Sequence, residues 1–102
     1  MSVSIKQLRA FVAVVEEKSF SLAAERLNAT QSGMSMLVQN LEHSIGKILI
    51  KRNPGKMILT DSGKKFYESS LDILKMMEKA LINAQEKNSE LSDTIKCGLM
   101  PT

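Results

Sequence analysis

The chain has 102 residues, of which 43% are hydrophobic and 25% charged, so it fits one ordinary domain with a small core and is not disordered by composition. With a single cysteine, Cys97, and a single histidine, His43, it cannot form an internal disulfide or a four-ligand zinc site, and a reducing cytoplasm suits it. The net charge of +3 is unevenly placed: residues 1–66 carry 10 Lys/Arg against 5 Asp/Glu, whereas residues 67–102 carry 4 against 6, which points the front of the chain at a polyanion.

In chain order, the first periodic segment runs from Ser4 to Lys18. Ile5, Leu8, Val12 and Val15 recur at helical spacing, with Phe11 widening the stripe and Ser4 as N-cap. The apolar run Ala10–Val15 within it is too short for a membrane span, so a soluble, intracellular chain is expected. A short second helix follows, with Phe20, Ala23, Ala24 and Leu27 at i, i+3, i+4 and i+7 and Ser21 as its expected cap. The two alanines allow another helix to cross closely. Asn28-Ala29-Thr30 reads as a tight turn, since Asn tolerates left-handed backbone and Thr30 can cap what comes next.

The third helix is expected over Gln31–Ile45, with Met34, Val38, Leu41 and Ile45 buried and Gly46 as its stop. Ser32, Ser35, Met36 and Gln39 are left on the outer face. Ile48-Leu49-Ile50 and Met57-Ile58-Leu59 then read as two short strands around the turn Asn53-Pro54-Gly55-Lys56, a hairpin with a basic tip. Thr60 or Asp61 can cap a long last helix reaching to about Asn88. It carries two apolar stripes, one through Tyr67, Leu71, Leu74 and Leu81 and another through Phe66, Ile73, Met77, Ala80 and Ala84; one can dock on the body and the other needs a further partner.

Two short helices around a three-residue turn, followed by a basic hairpin, form the pattern of a winged helix-turn-helix. The fold class expected is therefore mostly α: three helices plus a two-stranded wing, then a long helix. The domain boundaries fall at 1–60 for the winged body, 61–90 for the long helix and 91–102 for a hinge and a following strand. The major groove admits one helix, so the outer face of helix three can meet base edges, and Lys51, Arg52 and Lys56 of the hairpin can press on the flanking phosphates. No phosphate loop, metal-ligand cluster or activated nucleophile is present, so neither an enzyme nor a cofactor is expected.

Leu8-Arg9-Ala10-Phe11, Ser19 to Leu27, Thr30-Gln31, Ser35, Leu41-Glu42, Ile45-Gly46, Leu49-Ile50-Lys51-Arg52 and Leu59-Thr60-Asp61-Ser62-Gly63 together resemble, in order and spacing, the N-terminal signature of the LysR-type transcriptional regulators. The likeness covers about residues 4–85 without a gap. It implies double-stranded promoter DNA as partner, read as an interrupted palindrome with T near one end and A near the other. It also implies that the long helix is a dimerisation helix, with a homodimer built here through Tyr67, Leu71, Leu74, Met77 and Leu81, and a tetramer in the full-length protein. Carried over by position, Gln31, Ser32 and Ser35 would meet base edges or nearby phosphates, Arg52 would meet the backbone, and Thr30 would cap the helix beside a phosphate. Met36, Gln39 and Lys56 complete the expected contact set.

The departures from the family pattern are Ser32 where Pro is frequent, Gly33 where a small residue such as Ala is usual, Met36 where Arg is common and Leu37 where a polar residue is common. Gly33 implies a looser start to the helix. Met36 cannot read guanine as Arg does; either it touches a thymine methyl or this helix reads less sequence than its relatives do. Asp93 to Thr102 looks like the first strand of the family's effector-binding domain. The chain is thus expected to be a piece of a longer regulator, with any small-molecule effector acting only through that missing domain and Cys97 an inert strand residue.

Overall fold

The structure is a computed structural model, and it describes residues 2–54 and 56–85. Its elements are α1 (Ile5–Glu17), α2 (Phe20–Arg26), α3 (Gln31–Ile45), β1 (Ile50–Asn53), β2 (Lys56–Leu59) and α4 (Asp61–Gln85). This is the expected mostly helical winged helix-turn-helix followed by a long helix. The expected extension of α4 to Asn88 and the strand at Asp93–Thr102 with Cys97 lie outside the described residues.

The apolar run in α1 has a direct structural reason. Leu8 and Ala10 through Val14 are all buried, because α2, α3 and α4 each pack on a different side of this helix. A helix covered on one side needs only a stripe, and one covered on three needs apolar residues nearly all round. The start of α1 is held by reciprocal bonds: Gln7 N–H donates to Ser4 Oγ at 3.2 Å, and Ser4 N–H donates to Gln7 Oε1 at 3.0 Å. Met34, Val38 and Leu41 of α3 complete the core against α1, and Ala23 and Ala24 let α2 cross closely.

The wing is an antiparallel pair in the register Ile50–Leu59, Lys51–Ile58, Arg52–Met57 and Asn53–Lys56. Its first strand starts two residues later than the apolar run Ile48–Ile50 implied, and so it contains Lys51 and Arg52, which are on the strand and not at the tip. The cause lies across the chain. One carboxylate oxygen of Glu42 accepts the N–H groups of Leu49 at 2.8 Å and Ile50 at 3.0 Å, holding the approach to the strand against α3. Thr60 pins the same point: its hydroxyl donates to the Ile48 carbonyl at 2.7 Å and accepts from Gly63 N–H at 2.9 Å, which caps α4. A Cβ at Gly63 would come within 2.2 Å of the Leu49 carbonyl oxygen, so only glycine lets α4 leave the wing this closely.

α4 is the long axis of a molecule measuring 56 × 27 × 19 Å. Its two stripes do not divide as docked and bare. In the first half of the helix both dock: Phe66 lies against Phe11 with ring centroids 5.6 Å apart, and Tyr67 and Leu74 pack on the same core. In the second half the contact loosens to an open groove, where Met77 and Leu81 face Arg9, Val12, Arg26 and Leu27, while Ile73, Met76 and Ile82 are exposed.

Candidate nucleic-acid interface

The helix-turn-helix is set by side-chain caps. Ser19, and not Ser21, caps α2: its extended backbone (φ −163°) aims Oγ at Leu22 N–H, 3.1 Å away. Ser21 already lies inside the helix, and its hydroxyl instead donates to Gln31 Oε1 at 3.1 Å, joining α2 to the start of α3. Asn28 takes the left-handed conformation the turn requires (φ 55°), and the Thr30 hydroxyl accepts from Gly33 N–H at 3.0 Å. Gly33 does not loosen this start as the sequence implied. A Cβ there would approach the capping hydroxyl to 2.9 Å, so glycine accommodates the cap.

The outer surface of α3 presents Thr30, Gln31, Ser32, Met36 and Gln39 exposed and Ser35 half-buried. Met36 is 58% exposed and points away from the core stripe. Thr30 and Ser32 hydroxyls lie 3.4 Å apart. These small polar groups stand at the N-terminal end of the helix, where the helix dipole and unpaired N–H groups favour anions.

Beside them stands the wing. Strand alternation separates its cations. Lys51, paired with exposed Ile58, is on the outer face, and Lys56 adjoins the turn. Arg52 shares the inner face with buried Ile50 and lies over α2 and α3. Its guanidinium carbon is 4.0 Å from the Phe20 ring centroid, and Nη1 donates to Ser35 Oγ. Lys18, Ser21, Phe20, Gln31, Arg52 and Lys56 thus line one open cleft between the wing and the helix-turn-helix. Among the described residues the ion pairs are those of Arg26 with Glu16 and Glu17, so the cations at this end are not neutralised by protein carboxylates.

The residues expected at a dimer contact fall in two places. Tyr67 and Leu74 pack on the body, whereas Leu71, Leu74, Met77 and Leu81 line a groove that α4 makes with Arg9, Val12, Arg26 and Leu27. Further along, Ile73, Met76, Leu81 and Ile82 are exposed. The body end of α4 is fixed by Glu16, whose carboxylate accepts the Tyr67 hydroxyl at 2.8 Å and pairs with Arg26 at 2.9 Å. The Tyr67 bond, aided by Arg26, holds the Glu16 carboxyl below its usual range and in turn pushes the Tyr67 phenol up.

The model of the lysR family of bacterial regulatory helix-turn-helix proteins matches residues 5–64. The chain belongs to this family. Among curated relatives it is similar to the uncharacterised HTH-type transcriptional regulator YnfL of Escherichia coli, with 37% identity over 96% of this chain and 33% of that protein. It is also similar to the HTH-type transcriptional regulator BenM of Acinetobacter baylyi, with 32% identity over 94% of this chain and 31% of that one. The chain therefore spans about a third of the length of the relatives it matches. Two solved structures superpose closely. The BenM DBD in its complex with catB site 1 DNA gives a TM-score of 0.83 at 32% identity, over 88% of this chain and all of that one. The CbnR DBD–DNA complex gives 0.78 at 29% identity, over 81% and 95%.

Within this LysR-family domain, sequence reasoning missed three features of the site. The stacking of Arg52 on Phe20 and its bond to Ser35 join residues far apart in the chain. The Ser21–Gln31 link was hidden by giving Ser21 the cap. Glu16 reads as a surface charge, yet it ties α1, α2 and α4 together; a Tyr on the docked stripe was the available signal. No helix among the described residues is long and apolar enough to cross a membrane.

Proposed function

We propose that this chain is the DNA-reading part of a non-enzymatic, cytoplasmic transcriptional regulator that binds promoter DNA as a homodimer. The observation that carries the reading is the exposed row Gln31, Ser32, Met36 and Gln39 on α3, flanked by Lys51 and Lys56 on the wing. A helix face of small polar groups fits base edges in the major groove, and unpaired cations 20 residues on in the chain fit the phosphates beside it. The DNA complexes of the similar BenM and CbnR domains support DNA as the partner. The exposed Ile73, Met76, Leu81 and Ile82 of α4, beside the open groove lined by Leu71, Leu74, Met77 and Leu81, support pairing with a second copy, which would set two α3 helices in successive major grooves. Tetramer formation and response to a small-molecule effector belong, in this reading, to a C-terminal domain of the full regulator.

The test is selection of bound duplexes from a random pool at near-physiological salt, followed by sequencing. An enriched interrupted palindrome ending in T and A supports a dimeric reader and identifies the base opposite Met36. Replacing Lys51 and Lys56 together by Ala is expected to weaken all duplexes alike and reduce the salt slope by about two units. Tight binding with no enriched sequence, or an unchanged salt slope, would refute the assigned roles.

A further inference from the structure

Arg52 is the one wing cation turned inward. Alternation along β1 puts it on the face of buried Ile50, opposite half-buried Met57, and from there it touches both helices of the helix-turn-helix. Its guanidinium lies on the Phe20 face, 4.0 Å from the centroid, and donates through Nη1 to Ser35 Oγ. Three elements, β1, α2 and α3, converge on a single side chain.

We propose that Arg52 is a positioning residue for base reading, one that fixes the Ser35 hydroxyl as a hydrogen-bond donor to the major groove. A serine hydroxyl has one proton and two lone pairs, and a guanidinium can only donate. Ser35 therefore spends a lone pair on Arg52, and its proton cannot point that way. Among the described residues the structure gives this hydroxyl no acceptor of its own. The proton is left for a group arriving at the exposed side of α3. An unconstrained serine reads donors and acceptors alike. One lone pair remains, but a base amino group reaching it would also meet the positive guanidinium beside it, so Ser35 favours base-edge acceptors, such as guanine O6 and N7 or thymine O4, over the cytosine amino group. The planar fork and its stack on Phe20 set the geometry, which a lysine of equal charge cannot reproduce.

The proposal rests on the DNA-binding reading, and the test separates the two. Wild type, Arg52→Lys, Ser35→Ala and the double variant are compared by random-pool selection and by the salt dependence of binding. Folding is checked by thermal melts. Arg52→Lys is expected to keep the salt slope, because charge is conserved, and to lose about three- to tenfold of discrimination at one base position. Ser35→Ala is expected to lose the same preference at the same position, and the double variant no more than either. In the DNA-free protein, the Arg52 guanidinium NMR signals are expected to be shifted upfield by the Phe20 ring, and Phe20→Leu to abolish that shift. An unchanged base preference in Arg52→Lys, or a change at a different position from that of Ser35→Ala, overturns the proposal. So does the absence of the ring shift in a protein that binds DNA normally, which leaves the DNA-binding reading intact. A wild-type chain that shows the ring shift but binds no duplex refutes the DNA-binding reading and, with it, the proposal.

Discussion

The start of α3 and the outer half of α4 both leave side chains uncovered, and they differ in what those side chains lose by it. At the recognition end the bare groups are hydroxyls and amides that bond to one another, Ser21 to Gln31 and Thr30 to Ser32, and water serves the rest. On α4 they are Ile73, Met76, Leu81 and Ile82, exposed by 45 to 74%, with Leu81 at an open groove against the body. Polar groups are solvated almost as well alone as in a complex, so a partner there can come and go. Exposed apolar area costs about 25 cal/mol per Å², so a partner there is favoured throughout the protein's life. On the proposed reading, the contrast fits a reversible contact at one end of the molecule and a lasting one at the other.

The largest expected effect tests the lasting contact. Leu81→Glu puts a charge on each copy where the proposed dimer buries an apolar side chain, and is expected to raise the dimer dissociation constant at least about 100-fold, read by sedimentation. The helix-turn-helix should be untouched, with α3 amide resonances unchanged. Leu74→Glu does not isolate the contact, because Leu74 also packs on the core and its replacement would unfold the body. A Leu81→Glu protein that remains a tight dimer would remove the α4 side of the comparison.

Across the body that carries the start of α3, order comes from individual polar anchors, and Glu42, in the last turn of α3, is the strongest. Its carboxylate accepts two backbone N–H groups, so Glu42→Ala is expected to destabilise the fold by about 2–3 kcal/mol in urea unfolding. Glu42→Gln is expected to cost roughly half as much, since its carbonyl oxygen can still accept both. The urea test is made on the Leu81→Glu background, where folding is not linked to dimerisation. Equal losses for Ala and Gln would show that the charge matters and the geometry does not.

The same contrast explains what was legible in the sequence. The helices could be read because their burial is periodic: Met34, Val38 and Leu41 recur on α3, and Ser4, Thr30 and Gly46 bracket their helices by local chemistry. The exposed face of α3 followed from that stripe by subtraction. The start of β1 could not be read, because it depends on Glu42 reaching across seven residues to Leu49, and Ile48, the most strand-like residue on paper, is 57% exposed. Nor could the inward aim of Arg52, which follows from the strand's phase and therefore from the same anchor. The two stripes of α4 were seen, but a helical wheel has no length axis. It could not show that close packing on the body gives way partway along the helix to an open groove at Met77 and Leu81.

Whether the two ends are mechanically joined turns on Glu16. It receives the Tyr67 hydroxyl from α4 and the Arg26 guanidinium from α2, so it fixes the direction in which α4 leaves the helix-turn-helix body. Tyr67→Phe removes one hydrogen bond while keeping the ring, and is expected to cost about 1 kcal/mol at neutral pH. The pH dependence has a definite sign. Because the Glu16 carboxyl is held below its usual 4.5, its contribution is present above that value and is lost as pH falls through the lowered one. Because the Tyr67 phenol is raised above its usual 10.0, its contribution is complete below that value and is lost as pH rises through the raised one. The gap in melting temperature between wild type and Tyr67→Phe should therefore be flat between about pH 5 and 9 and narrow on both sides. A gap that persists unchanged into acid would mean that the phenol stabilises the α4 junction without the Glu16 carboxylate. The two ends would then be joined by packing alone, through Phe66, Leu74 and Gly63, and the angle between α4 and α3 would be set by shape and not by charge.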